Sequence, residues 1–218
     1  MDRITHSIQA NPNFVALNYK FVISLGNGCQ PAIHLRRNGL RRASFPLDWL
    51  VTSPGALITL FETRFDKFLE KDYLVALKTA SGDSEKIVDA FYHISFFHDF
   101  SVGGLRTELA AVQEKYARRI NKLYSILESE GPVLFIRTQL WEYYARRFVS
   151  ILTTQFPKLK YTLLVINRET EEPNEWNTSN TIKINTKFAE SSNATDPTYD
   201  PLWQTIFSCF SYELEDIP

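Results

Sequence analysis

Cys29 is the residue in this chain best placed to act as a nucleophile. It follows a glycine turn, Gly26-Asn27-Gly28, which ends the short β-prone run Phe21-Val22-Ile23-Ser24-Leu25. Pro31 comes two residues later, where a first helical turn tolerates a residue without an N–H. Ala32 to Asn38 can continue as helix, and Gly39 stops it. The predicted local order is therefore strand, glycine turn, cysteine, helix. A thiol there sits at the positive end of the helix dipole, which favours thiolate over thiol. Backbone N–H groups at Asn27, Gly28 and Gln30 could hold a developing oxyanion. In parallel α/β folds the edge reached by such a turn is where ligands bind. A packing role fits the same cysteine equally well, since cysteine behaves as a small hydrophobe.

A cysteine nucleophile needs a base within hydrogen-bond reach, usually histidine. Of the four histidines, His6 lies in a polar lead-in and His34 is five residues from Cys29 on the same helix, rotated to another side. His93 and His98 remain, and His98 is nearer the Gly103-Gly104 break, where a side chain can reach a site. A third group would orient the imidazole, and Asp48, Asp99 and Asn167 are the candidates. Asp48, flanked by Pro46, Leu47 and Trp49, either serves the histidine or braces the Phe45–Trp49 turn. Asp99 is the neighbour of His98, and neighbours on an extended chain point apart. Asn167 ends a strand, as a site residue on a parallel sheet should.

Two readings of different kind follow. The first is a cysteine-dependent hydrolase or acyl transferase acting on a peptide, amide or acyl substrate. The second is a non-catalytic α/β binding module, in which Arg36, Arg37, Arg41 and Arg42 receive a phosphate or acidic sugar beside the glycine turn. Other chemistries find less support. The turn lacks the third glycine of a dinucleotide loop, and no Walker lysine follows it. No Cys/His cluster has zinc spacing, so neither a metal nor a cofactor is expected.

The elements that would position these residues are readable from periodicity. Ser53-Pro54 opens a helix, with Leu57, Leu60, Phe61, Phe65 and Phe68 at helical spacing. Residues 70–90 read as looser, with a turn at Ser81-Gly82-Asp83, and 91–98 as one aromatic extended segment. Leu105, Leu109, Val112, Tyr116, Ile120, Leu123 and Leu127 form one apolar stripe over six turns, ended by Gly131-Pro132. Val133–Ile136 and Tyr161–Ile166 are unbroken apolar strands on either side of a helix over 140–155. Ile182–Ile184 is a short strand, and Pro201 starts a last helix through Phe210. Loops rich in polar residues cover 167–180 and 186–200. Strands buried on both faces read as such unbroken runs, so the expectation is an α/β fold, a mainly parallel sheet with helices packed on its faces. Residues 1–18 read as a polar N-terminal lead-in and 19–218 as a single domain.

Length and charge narrow the class. With 218 residues, 44% of them hydrophobic, the chain can bury a core without staples. A net charge of −1 demands neither nucleic acid nor an anionic membrane as partner. The two cysteines, Cys29 and Cys209, are expected as free thiols of a reducing compartment. No apolar run approaches a secretory signal or the roughly 20 residues of a membrane span, which points to a cytoplasmic protein. The sequons at Asn177 and Asn193 are then chance matches. Nothing in the sequence sets an oligomeric state.

One resemblance adds to this reading. Ile23-Ser24-Leu25-Gly26 followed by Cys29, then Leu35-Arg36-Arg37, Gly39-Leu40-Arg41 and Phe45-Pro46-Leu47-Asp48-Trp49, resembles a bacterial family of uncharacterised proteins labelled papain-like cysteine peptidases. Leu47 stands where the family carries phenylalanine. The similarity continues through Phe97-His98-Asp99-Phe100 and Arg118-Arg119-Ile120 to Val133–Ile136, so it covers most of residues 20–166. It implies a Cys–His enzyme with Cys29 as nucleophile and His98 as base, and carries Asp48 over by motif position.

Overall fold

The computed structural model describes residues 3–78, 85–168, 176, 178–186 and 196–216. The Ser81-Gly82-Asp83 turn, the sequon asparagines 177 and 193, and most of the two polar loops lie outside the described residues.

A four-stranded parallel sheet is the frame. Its strands are β2 (Phe21–Ser24), β7 (Val133–Thr138), β8 (Tyr161–Arg168) and β9 (Thr181–Thr186), in that spatial order. Ile23 pairs with Phe135, Phe135 with Leu163, and Ile166 with Ile184. Side chains alternate across a strand, so one apolar run feeds two cores. Phe135, Leu163 and Val165 enter the larger core with helices α3 (Pro54–Glu62), α4 (Leu105–Leu127) and α5 (Glu142–Gln155). Leu134, Ile136, Leu164 and Ile166 enter a second core with α1 (Arg3–Gln9), α2 (Gln30–Arg37) and α6 (Asp200–Ser208). Helices on both faces explain why no polar alternation marks these strands. Within the lead-in, Ile8 of α1 is fully buried in this second core.

The expectation of a mainly parallel sheet needs correction. β3 (Leu50–Val51), β4 (Leu74–Lys78), β5 (Glu85–Asp89) and β6 (Ile94–Phe96) form a second four-stranded sheet, antiparallel throughout. Most of β4 faces solvent, so its residues carry little of the burial pattern that marks a strand. The aromatic segment 91–98 is also not one strand. A turn passes through His93, which has φ 55°, before β6 begins. The two-residue strands β1 (Asn18–Tyr19) and β10 (Ser211–Tyr212) pair in parallel elsewhere.

The helices follow their signals more closely. Ser53 Oγ accepts from Ala56 N–H at 3.0 Å and caps α3, with Pro54 in its first turn. α3 nevertheless stops at Glu62, because Arg64, Phe65, Lys67 and Leu69 all take positive φ. Phe65 and Leu69 still reach the core from these turns.

Candidate functional site

The parallel strands end along one edge, and the chain leaves β2 there through three consecutive residues of positive φ: Gly26, Asn27 and Gly28 at 81°, 64° and 98°. Glycine is needed at 26 for a second reason. A Cβ there would stand 3.0 Å from both the Leu47 carbonyl oxygen and Thr52 Oγ1. Cys29 then occupies the N-cap of α2, its carbonyl accepting from Ile33 N–H at 3.0 Å. Its thiol is half-buried. Burial pushes the thiol pKa up, and a backbone N–H at the same residue acts against that.

Two neighbouring segments hold this turn. Gly28 N–H donates to the Leu50 carbonyl at 3.0 Å and Asn27 N–H to Thr52 Oγ1 at 3.2 Å. Those two predicted oxyanion donors are therefore engaged. Gln30 differs, because its Nε2 is buried without a hydrogen-bond partner among the described residues. It also sits at the first position of α2, where backbone N–H groups lack intrahelical acceptors. Under the turn lies Arg137, fully buried at the end of β7. It donates through Nη1 to the Leu25 carbonyl at 2.6 Å and Thr52 Oγ1 at 2.7 Å, and through Nη2 to the Thr52 carbonyl at 2.7 Å. No carboxylate pairs with it among the described residues, and burial lowers its pKa to about 9. The Gln139 amide lies 2.7 Å from Asn27 Nδ2 and 3.0 Å from Nε and Nη2 of Arg168.

The predicted partners are placed as follows. Asp48 is buried, and its Oδ2 accepts from Arg41 Nε at 3.0 Å, Arg41 Nη2 at 2.8 Å and Phe45 N–H at 3.0 Å. Burial raises its pKa, and the Arg41 guanidinium works in the other direction. These bonds brace the Phe45–Leu50 turn. Asp99 pairs with Lys115 Nζ at 2.7 Å and accepts from Tyr116 Oη at 2.9 Å. Asn167 bridges the Leu140 backbone, accepting at 2.9 Å and donating at 2.8 Å.

His98 is exposed, and its ring meets Trp49 edge-on at 6.3 Å. Leu50 pairs with Phe96, so the antiparallel ladder carries His98 alongside the 48–50 segment whose Leu50 holds Gly28. Gly28, next to Cys29, and His98 thus both contact the Trp49–Leu50 stretch. Among the described residues no hydrogen bond joins them, and none reaches His98 from Asp48 or Asp99.

His34 is buried on the other side of α2, stacked on Trp203 at 4.7 Å with Nδ1 3.2 Å from Asp200 Oδ1. Its burial lowers the pKa to about 4, against a smaller opposing pull from Asp200. Arg36 and Arg37 sit in the last turn of α2, at the far end from Cys29, and Arg37 pairs with Asp200 at 2.7 Å. Arg42 is exposed, while Arg41 is held by Asp48 with its guanidinium 5.5 Å over Trp49. The four arginines are therefore not gathered at the glycine turn. Among the described residues no group of three His, Cys, Asp or Glu side chains could hold a metal ion, and no helix is long and apolar enough to cross a membrane.

Sequence reading missed Arg137, Gln139 and Arg168. The signal was available for two of them. Arg137 follows the wholly apolar run Val133–Ile136, and Arg168 follows Asn167 at a strand end; each puts a charge where a buried parallel strand reaches its edge.

A strand, a left-handed glycine turn and a cysteine at a helix start, all at the C-terminal edge of a parallel sheet, define an α/β protein with a candidate thiol site. The chain belongs to the family described as "Putative papain-like cysteine peptidase (DUF1796)", whose model matches residues 20–169. It is also similar to "Uncharacterized protein R408" of Acanthamoeba polyphaga mimivirus, at 26% identity over 141 residues. That match covers 56% of this chain and 63% of the viral protein, so the chain spans less than two thirds of that relative's length. The bacterial attribution of the resemblance is not supported, since this relative is viral. No solved structure matches.

Proposed function

We propose that this chain is a cysteine-dependent hydrolase acting on an amide or related acyl group, with Cys29 as nucleophile and His98 as base. The observation that carries the reading is the position of Cys29. It stands at the N-cap of α2 directly after the glycine turn, next in sequence to Gln30, whose Nε2 has no hydrogen-bond partner among the described residues. Membership of the family supports the same class.

In this reading His98 takes the Cys29 proton, and the sulfur attacks the acyl carbon. The carbonyl oxygen takes the negative charge and accepts hydrogen bonds from Gln30. The imidazolium returns the proton to the leaving amine as the carbon–nitrogen bond breaks. Water, deprotonated by the same imidazole, then cleaves the thioester, releasing the acid and the thiol. Burial alone raises the Cys29 pKa, so the reading requires that pairing with the His98 imidazole outweigh burial and favour the thiolate. Asp48 acts by bracing the turn rather than by orienting the imidazole. No observation favours anion binding at Arg36–Arg42, since Arg37 and Arg41 are already paired.

The test is iodoacetamide alkylation of Cys29 as a function of pH, read by mass spectrometry, in the native chain and in His98→Ala. Buried Cys209 serves as the internal reference. Alkylation below the ordinary thiol range of roughly 8.5 that is lost in His98→Ala is the expected result. A titration at or above the ordinary value, unchanged by His98→Ala, removes the proposed base and with it the reading.

A further inference from the structure

A second site lies away from Cys29, on one face of α4. Lys115, Arg118, Arg119 and Lys122 recur at intervals of three, one and three residues, which places them on one side of the helix. With Ser44, from the turn before Phe45, they line a cavity of about 710 Å³. Two of the four charges are already met: Lys115 pairs with Asp99 at 2.7 Å and Arg118 with Glu114 at 2.7 Å. Arg119 and Lys122 have no carboxylate partner within 4 Å among the described residues. Arg119 feels Asp48 at longer range, but Arg41 already holds that carboxylate.

Arg119 carries the stronger signal. Its guanidinium lies over the Tyr116 ring at 5.1 Å, and Nη1 is buried without a hydrogen-bond acceptor among the described residues. A buried charged N–H left unmade is costly, and the same guanidinium lines the cavity, where an oxyanion can pair with its charge. Ser44 Oγ accepts from Arg41 Nη2 at 2.8 Å, which leaves its own O–H free to donate. A guanidinium fork, an ammonium and a hydroxyl lining one space are donors that suit a multiply charged oxyanion. Arg119 and Lys122 are three residues apart, a rise of about 4.5 Å along the helix, so two adjoining anionic groups can be met at once.

We infer that this face of α4 binds a small phosphoryl-bearing anion with two or more negative charges, between Arg119, Lys122 and Ser44. The inference does not depend on Cys29 or on the hydrolase reading.

Inorganic pyrophosphate is the probe, titrated calorimetrically into the whole chain at low ionic strength, with Arg119→Gln, Lys122→Gln and Arg36→Gln alongside. Saturable binding at one site is expected, weakened at least tenfold in Arg119→Gln and in Lys122→Gln and unchanged in Arg36→Gln. Lys122 is only partly buried, so its variant keeps the test readable if Arg119→Gln fails to fold. Absence of saturable binding to the native chain overturns the inference. So does native affinity in Lys122→Gln, or an equal loss in Arg36→Gln, which would mark diffuse attraction to basic surface.

Discussion

Two buried charges flank the turn that carries Cys29, and the fold accommodates them in opposite ways. On the outer side Asp48 is matched by Arg41, so the Phe45–Leu50 turn is fastened by a pair of zero net charge. On the inner side Arg137 is solvated by two backbone carbonyls and a hydroxyl, with no counter-charge among the described residues. Burial pushes each group toward its neutral form, raising the Asp48 pKa and lowering that of Arg137. The difference concerns what can be taken away. A side-chain partner can be deleted by mutation, which leaves its mate stranded in low dielectric. Backbone carbonyls cannot, so of the three acceptors of Arg137 only the Thr52 hydroxyl is open to deletion, and the bonds to the Leu25 and Thr52 carbonyls remain.

The largest effect is therefore expected from deleting the partner. Arg41→Ala leaves the Asp48 carboxylate buried and unpaired, and should cost roughly 3–5 kcal/mol in urea unfolding at neutral pH. That loss should shrink as the pH falls, because a protonated Asp48 needs no counter-ion and the folded state takes up the proton more readily than the unfolded chain. A loss independent of pH would show that Arg41 acts by packing on Trp49.

Arg137→Met sharpens the contrast. It removes the charge together with its desolvation cost, but strands the acceptors at Leu25 and Thr52. A smaller loss of about 1–3 kcal/mol is expected, with faster hydrogen exchange at Asn27 and Gly28, whose N–H groups depend on the braced segment. A cost above that of Arg41→Ala would reverse the ranking of the two supports.

His34 shows a third accommodation, in which a buried base stays neutral. Its folded pKa of about 4 lies below the ordinary 6.5. Between those values the unfolded chain binds a proton that the folded chain refuses, so stability falls as pH drops from about 6.5 to about 4. The slope is at most about 1.4 kcal/mol per pH unit and levels off below the folded value. His34→Gln should flatten this part of the stability profile. The smallest effect belongs to exposed Arg36. Arg36→Gln should change unfolding by about 0.5 kcal/mol or less, and a larger change would mean that the α2 C-terminus relies on it.

The sequence alone determined what is local. A short apolar run, three residues suited to positive φ, a cysteine and a proline are enough to specify strand, turn and helix start. The α4 stripe and the runs of β7 and β8 are equally explicit, since periodicity and unbroken apolarity arise within one element. Tertiary structure decided the pairings. β3 has two residues and β4 faces solvent, so neither carries a pattern that could announce an antiparallel sheet. The sequence left Asp48 either to serve the histidine or to brace the Phe45–Trp49 turn, and only the folded turn gave it Arg41. It named His98 by its distance from a glycine break, and only the β3–β6 register set it against Trp49. Arg137 reads as a charge at a strand end until Thr52, 85 residues away, closes over it. Propensity and periodicity act over a few residues. The choice of partner for a buried charge is made by chain segments that meet only once the core has formed.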